Sequence, residues 1–220
     1  MPDVSIKYCG NKTLQDYQTT SRTGADYLGF VFAKSKRQVQ VEEVSSWIAQ
    51  EKSPSKKLVG IFVNQSIDEI LYAVDTLKLD VVQLHGDESR EYIQSLGSKI
   101  NAGIWKAVHH ENDESFQNLE VYQDLVEGFV IDKKVGNAYG GTGESFDWSF
   151  LPCYINKAKS MNKRCFIAGG IKEENLAELL KYHPDGIDIS SGIETDFIKD
   201  GEKIQAVERR VNEYGTTIRN

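Results

Sequence analysis

The most constraining feature of this chain is its rhythm: short apolar runs recur from one end to the other, each followed by a longer, polar, helix-compatible segment. The runs cover residues 4–8, 26–32, 58–63, 80–84, 103–108, 128–131, 164–168 and 186–189, eight in all. The second, DYLGFVF, has almost no polar residue after its first position, the pattern of a strand buried on both faces. Helical segments are expected at 13–23, at 41–51, from an N-cap at Ser66, at 88–96, weakly at 113–122, and at 148–160, 173–182 and 201–214. Asp68 and Glu69 follow Ser66 in the first turn, where the helix dipole favours carboxylates. Such alternation implies parallel strands joined by right-handed crossovers. Eight units without a linker close most simply into one (β/α)8 TIM barrel spanning residues 1–220. The competing doubly wound open sheet would carry a GxGxxG fingerprint after its first strand, where this chain reads CGNKTL.

Charge narrows the partners. A net charge of −7 and a pI near 5.2, with no dense run of Lys and Arg, argue against nucleic-acid or acidic-membrane surfaces. A small anionic substrate therefore needs a local positive site. No apolar stretch reaches the roughly 18 residues of a membrane span, and the start MPDVSIKYCG lacks a signal peptide's regions, so the expected location is cytoplasmic. The three cysteines, Cys9, Cys153 and Cys165, lie far apart without a CxxC pair, which excludes a disulfide framework and zinc-ligand spacing. Cys153 and Cys165 read as packing residues. No HExxH or carboxylate cluster suggests a metal.

In a barrel of this kind the chemistry sits at the C-terminal ends of the strands. Those ends read Cys9, Phe32 with Arg37 beyond it, Asn64, His85, His109 with His110, Asp132, Gly169 with Gly170, and Ser190, Ser191, Gly192. The seventh run ends AGG and the eighth SSG, the two positions at which barrels commonly bind phosphate through backbone N–H groups at a short extra helix, here about 190–195. After the sixth run the loop 133–145 places Gly140, Gly141 and Gly143 around Thr142. That loop suits a lid or an anion contact, and a flexible turn equally.

Cys9 and Asp132 are candidates for proton transfer across the mouth. The alternative for Cys9 is a buried small hydrophobe. Lys7 shares its parity, and either supplies a positive field that favours a thiolate or pairs with an inward carboxylate such as Asp188. Arg37 suits a substrate carboxylate in fork geometry, or is simply solvated. His85 shares parity with Gln83, so both look inward, as core residues or as substrate contacts. His109 and His110 read as loop residues without a role.

Taken in register, KYCG at 7–10, DYLGFVFAKSKRQV at 26–39, VGIFVN at 59–64, VQLHGDE at 82–88, VIDKKVGNAYGGTGESFDW at 130–148, FIAGGI at 166–171 and GIDISSGIET at 186–195 resemble phosphoribosylanthranilate isomerase of tryptophan biosynthesis. The resemblance implies a (β/α)8 barrel without cofactor or metal. It implies an Amadori rearrangement of N-(5-phosphoribosyl)anthranilate to 1-(2-carboxyphenylamino)-1-deoxyribulose 5-phosphate. It makes Asp132 the general acid at the furanose oxygen, Cys9 the general base at C2, and Arg37 the holder of the anthranilate carboxylate. By the same resemblance Gly141, Thr142, Gly143, Gly169, Gly170, Ser190, Ser191 and Gly192 are phosphate and lid elements, His85 a substrate contact, and Asp188 a hydroxyl holder or a tuner of the acid. The chain departs from the family's pattern at Tyr8 and at Lys12 with Thr13, in the first loop. A monomer is the default expectation. Indole-glycerol-phosphate synthase and pentose-phosphate epimerase chemistry would need a Lys and Glu pair or a metal site. A barrel that binds phosphosugar without turnover is the other reading.

Overall fold

The computed structural model describes residues 4–51, 56–133 and 147–219. Eight parallel strands, β1 (Ser5–Tyr8), β2 (Tyr27–Val31), β3 (Lys57–Phe62), β4 (Val81–Leu84), β5 (Gly103–His110), β6 (Gly128–Lys133), β7 (Arg164–Ile167) and β8 (Gly186–Ile189), close in sequence order, with β8 pairing back onto β1. Around them lie α1 (Leu14–Ser21), α2 (Val41–Gln50), α3 (Ile67–Leu77), α4 (Arg90–Gly97), α5 (Asn118–Tyr122), α6 (Leu151–Ser160), α7 (Glu173–Leu180) and α8 (Gly201–Arg219). The (β/α)8 barrel expected from the apolar rhythm is therefore the observed architecture.

Strand parity sorts the core into two layers. Outward residues such as Leu28, Phe30, Phe62, Val82, Phe129 and Ile187 pack against the helices. Inward residues Tyr27, Val59, Ile61, Val81, Trp105, Ala107, Val130 and Phe166 fill the barrel itself. The Trp105 ring lies with its centroid 4.5 Å from Phe166 and 5.0 Å from Tyr27, an aromatic plug beneath the mouth. Because side chains alternate, the same parity carries Lys7, Gln83, His109, Asp132 and Asp188 inward toward the C-terminal rim. Local signals agree with these placements. At α3 the Ser66 N–H donates to Glu69 Oε2 at 2.8 Å while the Glu69 N–H donates back to Ser66 Oγ, a capping box. On the outer face of β5 the buried Lys106 ammonium lies 3.1 Å from Glu88 and donates to the Gly86 carbonyl, fixing the turn after β4.

Several boundaries differ from the sequence reading. β5 continues through His109 and His110, so these residues belong to a strand end rather than a loop. The weak helix at 113–122 is a 3-10 turn, Ser115–Gln117, followed by the five-residue α5. Cys165 is buried as expected, but Cys153 is exposed on α6 and does not pack. No helix among the described residues is long and apolar enough to cross a membrane.

Candidate active site

Cys9 follows β1 directly, and its N–H donates to the Ile189 carbonyl at 2.9 Å, which anchors it to the end of β8. Its thiol lies over Gly29 on β2: a Cβ at that glycine would come within 3.0 Å of Cys9 Sγ. One pleat below, Lys7 and Asp188 are register partners, and Lys7 Nζ donates to Asp188 Oδ2 at 2.7 Å with the lysine fully buried. Burial would lower the Lys7 pKa, but Asp188 and a Cys9 thiolate outweigh it and the net shift is upward. For Cys9, burial pushes the thiol pKa up, Lys7 pulls it down, Asp188 adds to the rise and Lys199 opposes it. The result is a raised pKa, so the positive field of Lys7 limits the desolvation cost without abolishing it. Both readings of Lys7 hold together: it is ion-paired, and it stands beneath the thiol.

Asp132 is the inward carboxylate of β6, opposite His109 in register. Its Oδ1 accepts the Lys133 N–H at 2.7 Å, and Oδ2 lies 3.5 Å from His85 Nε2. The Gln83 amide donates to His85 Nδ1 at 3.1 Å, which leaves the imidazole proton on Nε2, facing the carboxylate. His109 Nε2 donates to the His85 carbonyl at 3.3 Å, and the two rings meet edge-on. Burial, aided by His85, holds the His109 pKa below the usual histidine range and keeps it neutral. Parity with Trp105 and Ala107 is the signal for His109, hidden because the sequence reading ends β5 at Val108, two residues before its observed end.

Arg37 is neither solvated nor loose. It is 8% exposed, and its Nε and Nη2 form a fork onto Glu194 at 2.9 and 2.6 Å. Glu194 also accepts from the buried Lys199 Nζ at 2.8 Å, and Lys199 reaches the Cys9 carbonyl at 2.5 Å. Glu194 and Lys199 face each other across a hairpin of β9 (Glu194–Thr195) and β10 (Ile198–Lys199), an element absent from the sequence reading. Gly10, at φ +75°, lets the first loop pass under Arg37: a Cβ there would sit 2.4 Å from Arg37 Cδ and 2.9 Å from Ser190 Oγ.

The loops after β7 and β8 converge. Gly169 and Gly170 take positive φ, and a Cβ at Gly192 would come within 1.9 Å of the Ile171 carbonyl oxygen. The expected short helix is one 3-10 turn, Ser191–Ile193, preceded by Ser190. The loop residues Gly140, Gly141, Thr142 and Gly143 lie outside the described residues. Among the described residues no group of three or more His, Cys, Asp or Glu side chains is placed to hold a metal.

The chain and its closed barrel have counterparts among known proteins. The family model for N-(5'-phosphoribosyl)anthranilate (PRA) isomerase matches residues 6–210. The chain belongs to this family. Among relatives bearing the same name, one from Halalkalibacterium halodurans is 48% identical over 206 residues, 94% of each chain. Another, from Geobacillus thermodenitrificans, is 45% identical over 214 residues, 97% of this chain and 96% of its own. Among solved structures, the phosphoribosyl anthranilate isomerase of Thermotoga maritima superposes with a TM-score of 0.83 at 28% identity, covering 96% of this chain and 99% of its own. A further structure, with TM-score 0.80 at 28% identity over 96% of this chain and 99% of its own, is a phosphoribosyl anthranilate isomerase in complex with reduced 1-(o-carboxyphenylamino)-1-deoxyribulose 5-phosphate. PRA isomerases are aldose–ketose isomerases of tryptophan biosynthesis, and this chain is an enzyme of that class.

Proposed function

We propose that Asp132 and Cys9 are the acid and base of an Amadori rearrangement on N-(5-phosphoribosyl)anthranilate. Asp132, protonated, gives its proton to the furanose oxygen. The C1–O bond breaks as the nitrogen lone pair forms an iminium. The Cys9 thiolate then removes the C2 proton, and the electron pair moves into a C1–C2 double bond, neutralising the nitrogen. The resulting enolamine tautomerises: the C2 hydroxyl loses its proton, C1 gains one, and the ketone product forms. The working fraction has Cys9 ionised and Asp132 protonated. The observation that carries this reading is the inward placement of both groups on the rim of one barrel, with the buried Lys7–Asp188 pair directly beneath Cys9.

The other contacts follow from chemistry. His85, held by Gln83, orients the Asp132 carboxyl. Arg37 keeps one guanidinium edge on Glu194 and turns the Nη1 and Nη2 edge to the anthranilate carboxylate. Backbone N–H groups of Gly169, Gly170, Ser190, Ser191 and Gly192 take the phosphate, and the family resemblance assigns Gly141, Thr142 and Gly143 to the same site. All these residues come from one chain, so a monomer suffices; a Thermotoga maritima relative is dimeric, and sedimentation at assay concentration distinguishes the two. A cytoplasmic location is the reading that the free cysteines and the biosynthetic relatives support.

The test follows the fluorescence decay of freshly prepared phosphoribosylanthranilate with wild type, Cys9→Ser and Asp132→Asn, after circular dichroism shows all three folded. Each variant is expected to lose a factor on the order of 10² or more in kcat while still binding the reduced product analogue. Wild-type kcat in either variant would remove that residue from the mechanism. Binding by the folded wild type without turnover would leave only a phosphosugar-binding barrel.

A further inference from the structure

The turn between β9 and β10 is a strained one. Its two residues, Asp196 and Phe197, have φ of +51° and +63°. Paired positive φ values in a two-residue hairpin define the I′ geometry, in which Asn or Asp followed by Gly is favoured. Asp196 fits its place; Phe197 occupies the place where a Cβ collides with backbone. Burial does not compensate, because Phe197 remains 46% exposed.

What the ring touches is unusual for a chain of net charge −7. Lys12 Nζ lies 5.4 Å from its centroid, Lys36 Nζ 5.2 Å and Arg37 Cζ 5.8 Å, all within cation–π range. The three cations come from the loops after β1 and β2, and like charges at such spacing repel one another. One aromatic ring gathers all three, including the guanidinium that Glu194 already holds by one edge. The hairpin thus acts on Arg37 from two sides.

We propose that Phe197 is a positioning residue for the anthranilate end of the substrate. Its ring holds Lys12, Lys36 and Arg37 as a preformed cationic rim, so that an aryl carboxylate arriving at the mouth meets the charges already assembled and an apolar edge beside them. The inference rests on the reading of Arg37 as the carboxylate holder. Strain in the turn is retained because the side chain serves binding rather than stability.

Phe197→Gly, Phe197→Tyr and Arg37→Lys are compared with wild type in steady-state turnover of phosphoribosylanthranilate and in thermal melts. Relief of the backbone strain in Phe197→Gly is expected to raise Tm by about 2–4 °C. The same variant is expected to raise KM about fivefold, with kcat within about twofold of wild type, and Phe197→Tyr restores the wild-type KM. Greater stability with weaker binding is a combination that a merely structural role does not produce. An unchanged KM in Phe197→Gly, beside a raised KM in Arg37→Lys, would overturn the role of Phe197 alone. An unchanged KM in Arg37→Lys would overturn the carboxylate reading, and this inference with it.

Discussion

At the residue scale, the proposed mechanism turns on the pairing of Lys7 with Cys9. On the proposed roles, with Cys9 as thiolate base beside a protonated acid, activity falls as pH rises through the Cys9 pKa, because no further thiolate is gained there while the acid form is still being lost. Lys7→Met removes the charge that opposes desolvation of the thiol, so the alkaline limb of kcat/KM is expected to move to higher pH while its plateau drops. The substitution also leaves Asp188 buried without its ion-pair partner, a destabilisation of about 3–5 kcal/mol in denaturant titration. Adding Asp188→Leu is expected to restore most of the stability and none of the activity. The sign for wild type runs in the same sense: the Lys7 pKa is raised above its ordinary 10.5 in the folded chain, so its contribution is present below that value and is lost as pH climbs past the folded one. Parity made Lys7, Gln83 and His85 legible as inward residues. The ion pair with Asp188 depends on the pairing of β1 with β8, which brings the two residues into register.

At the element scale, the close approach of the loops after β7 and β8 is what the proposed phosphate site rests on. Gly192→Ala would drive a methyl into the Ile171 carbonyl, which lies 1.9 Å from the position of that Cβ. The expected cost is about 3 kcal/mol with a raised KM, because the backbone N–H groups of both turns shift together. A thermal melt and a competition assay with inorganic phosphate measure the two effects; wild-type phosphate affinity would disconnect this loop pair from the anion. The AGG and SSG runs advertised these turns. Nothing in the sequence advertised the β9–β10 hairpin, since Asp196–Phe197 lacks the glycine that marks an I′ turn, and Glu194 and Lys199 carried no signal of their own. The bidentate hold on Arg37 comes from one residue, Glu194, 157 positions away in sequence, beyond the reach of any local pattern.

At the scale of the whole molecule, an anionic chain presents a small cationic rim to a substrate that bears both a phosphate and a carboxylate. Association is therefore expected to weaken with salt: kcat/KM should fall severalfold between about 0.05 and 0.5 M ionic strength while kcat stays constant, as stopped-flow fluorescence would record. The barrel itself was readable from eight apolar runs, because a strand buried on both faces leaves an uninterrupted apolar signature. Where a polar residue faces inward, as at His109 on β5, that signature breaks and the strand reads short. The division of labour between Asp132 and Cys9 is tested most directly by single-turnover kinetics with substrate deuterated at C2. Wild type should show a primary isotope effect, Cys9→Ser a larger one because C2–H cleavage becomes wholly limiting, and Asp132→Asn almost none because ring opening then limits. A wild-type rate and isotope effect in Cys9→Ser, or an enlarged effect in Asp132→Asn, would contradict the assignment of base and acid.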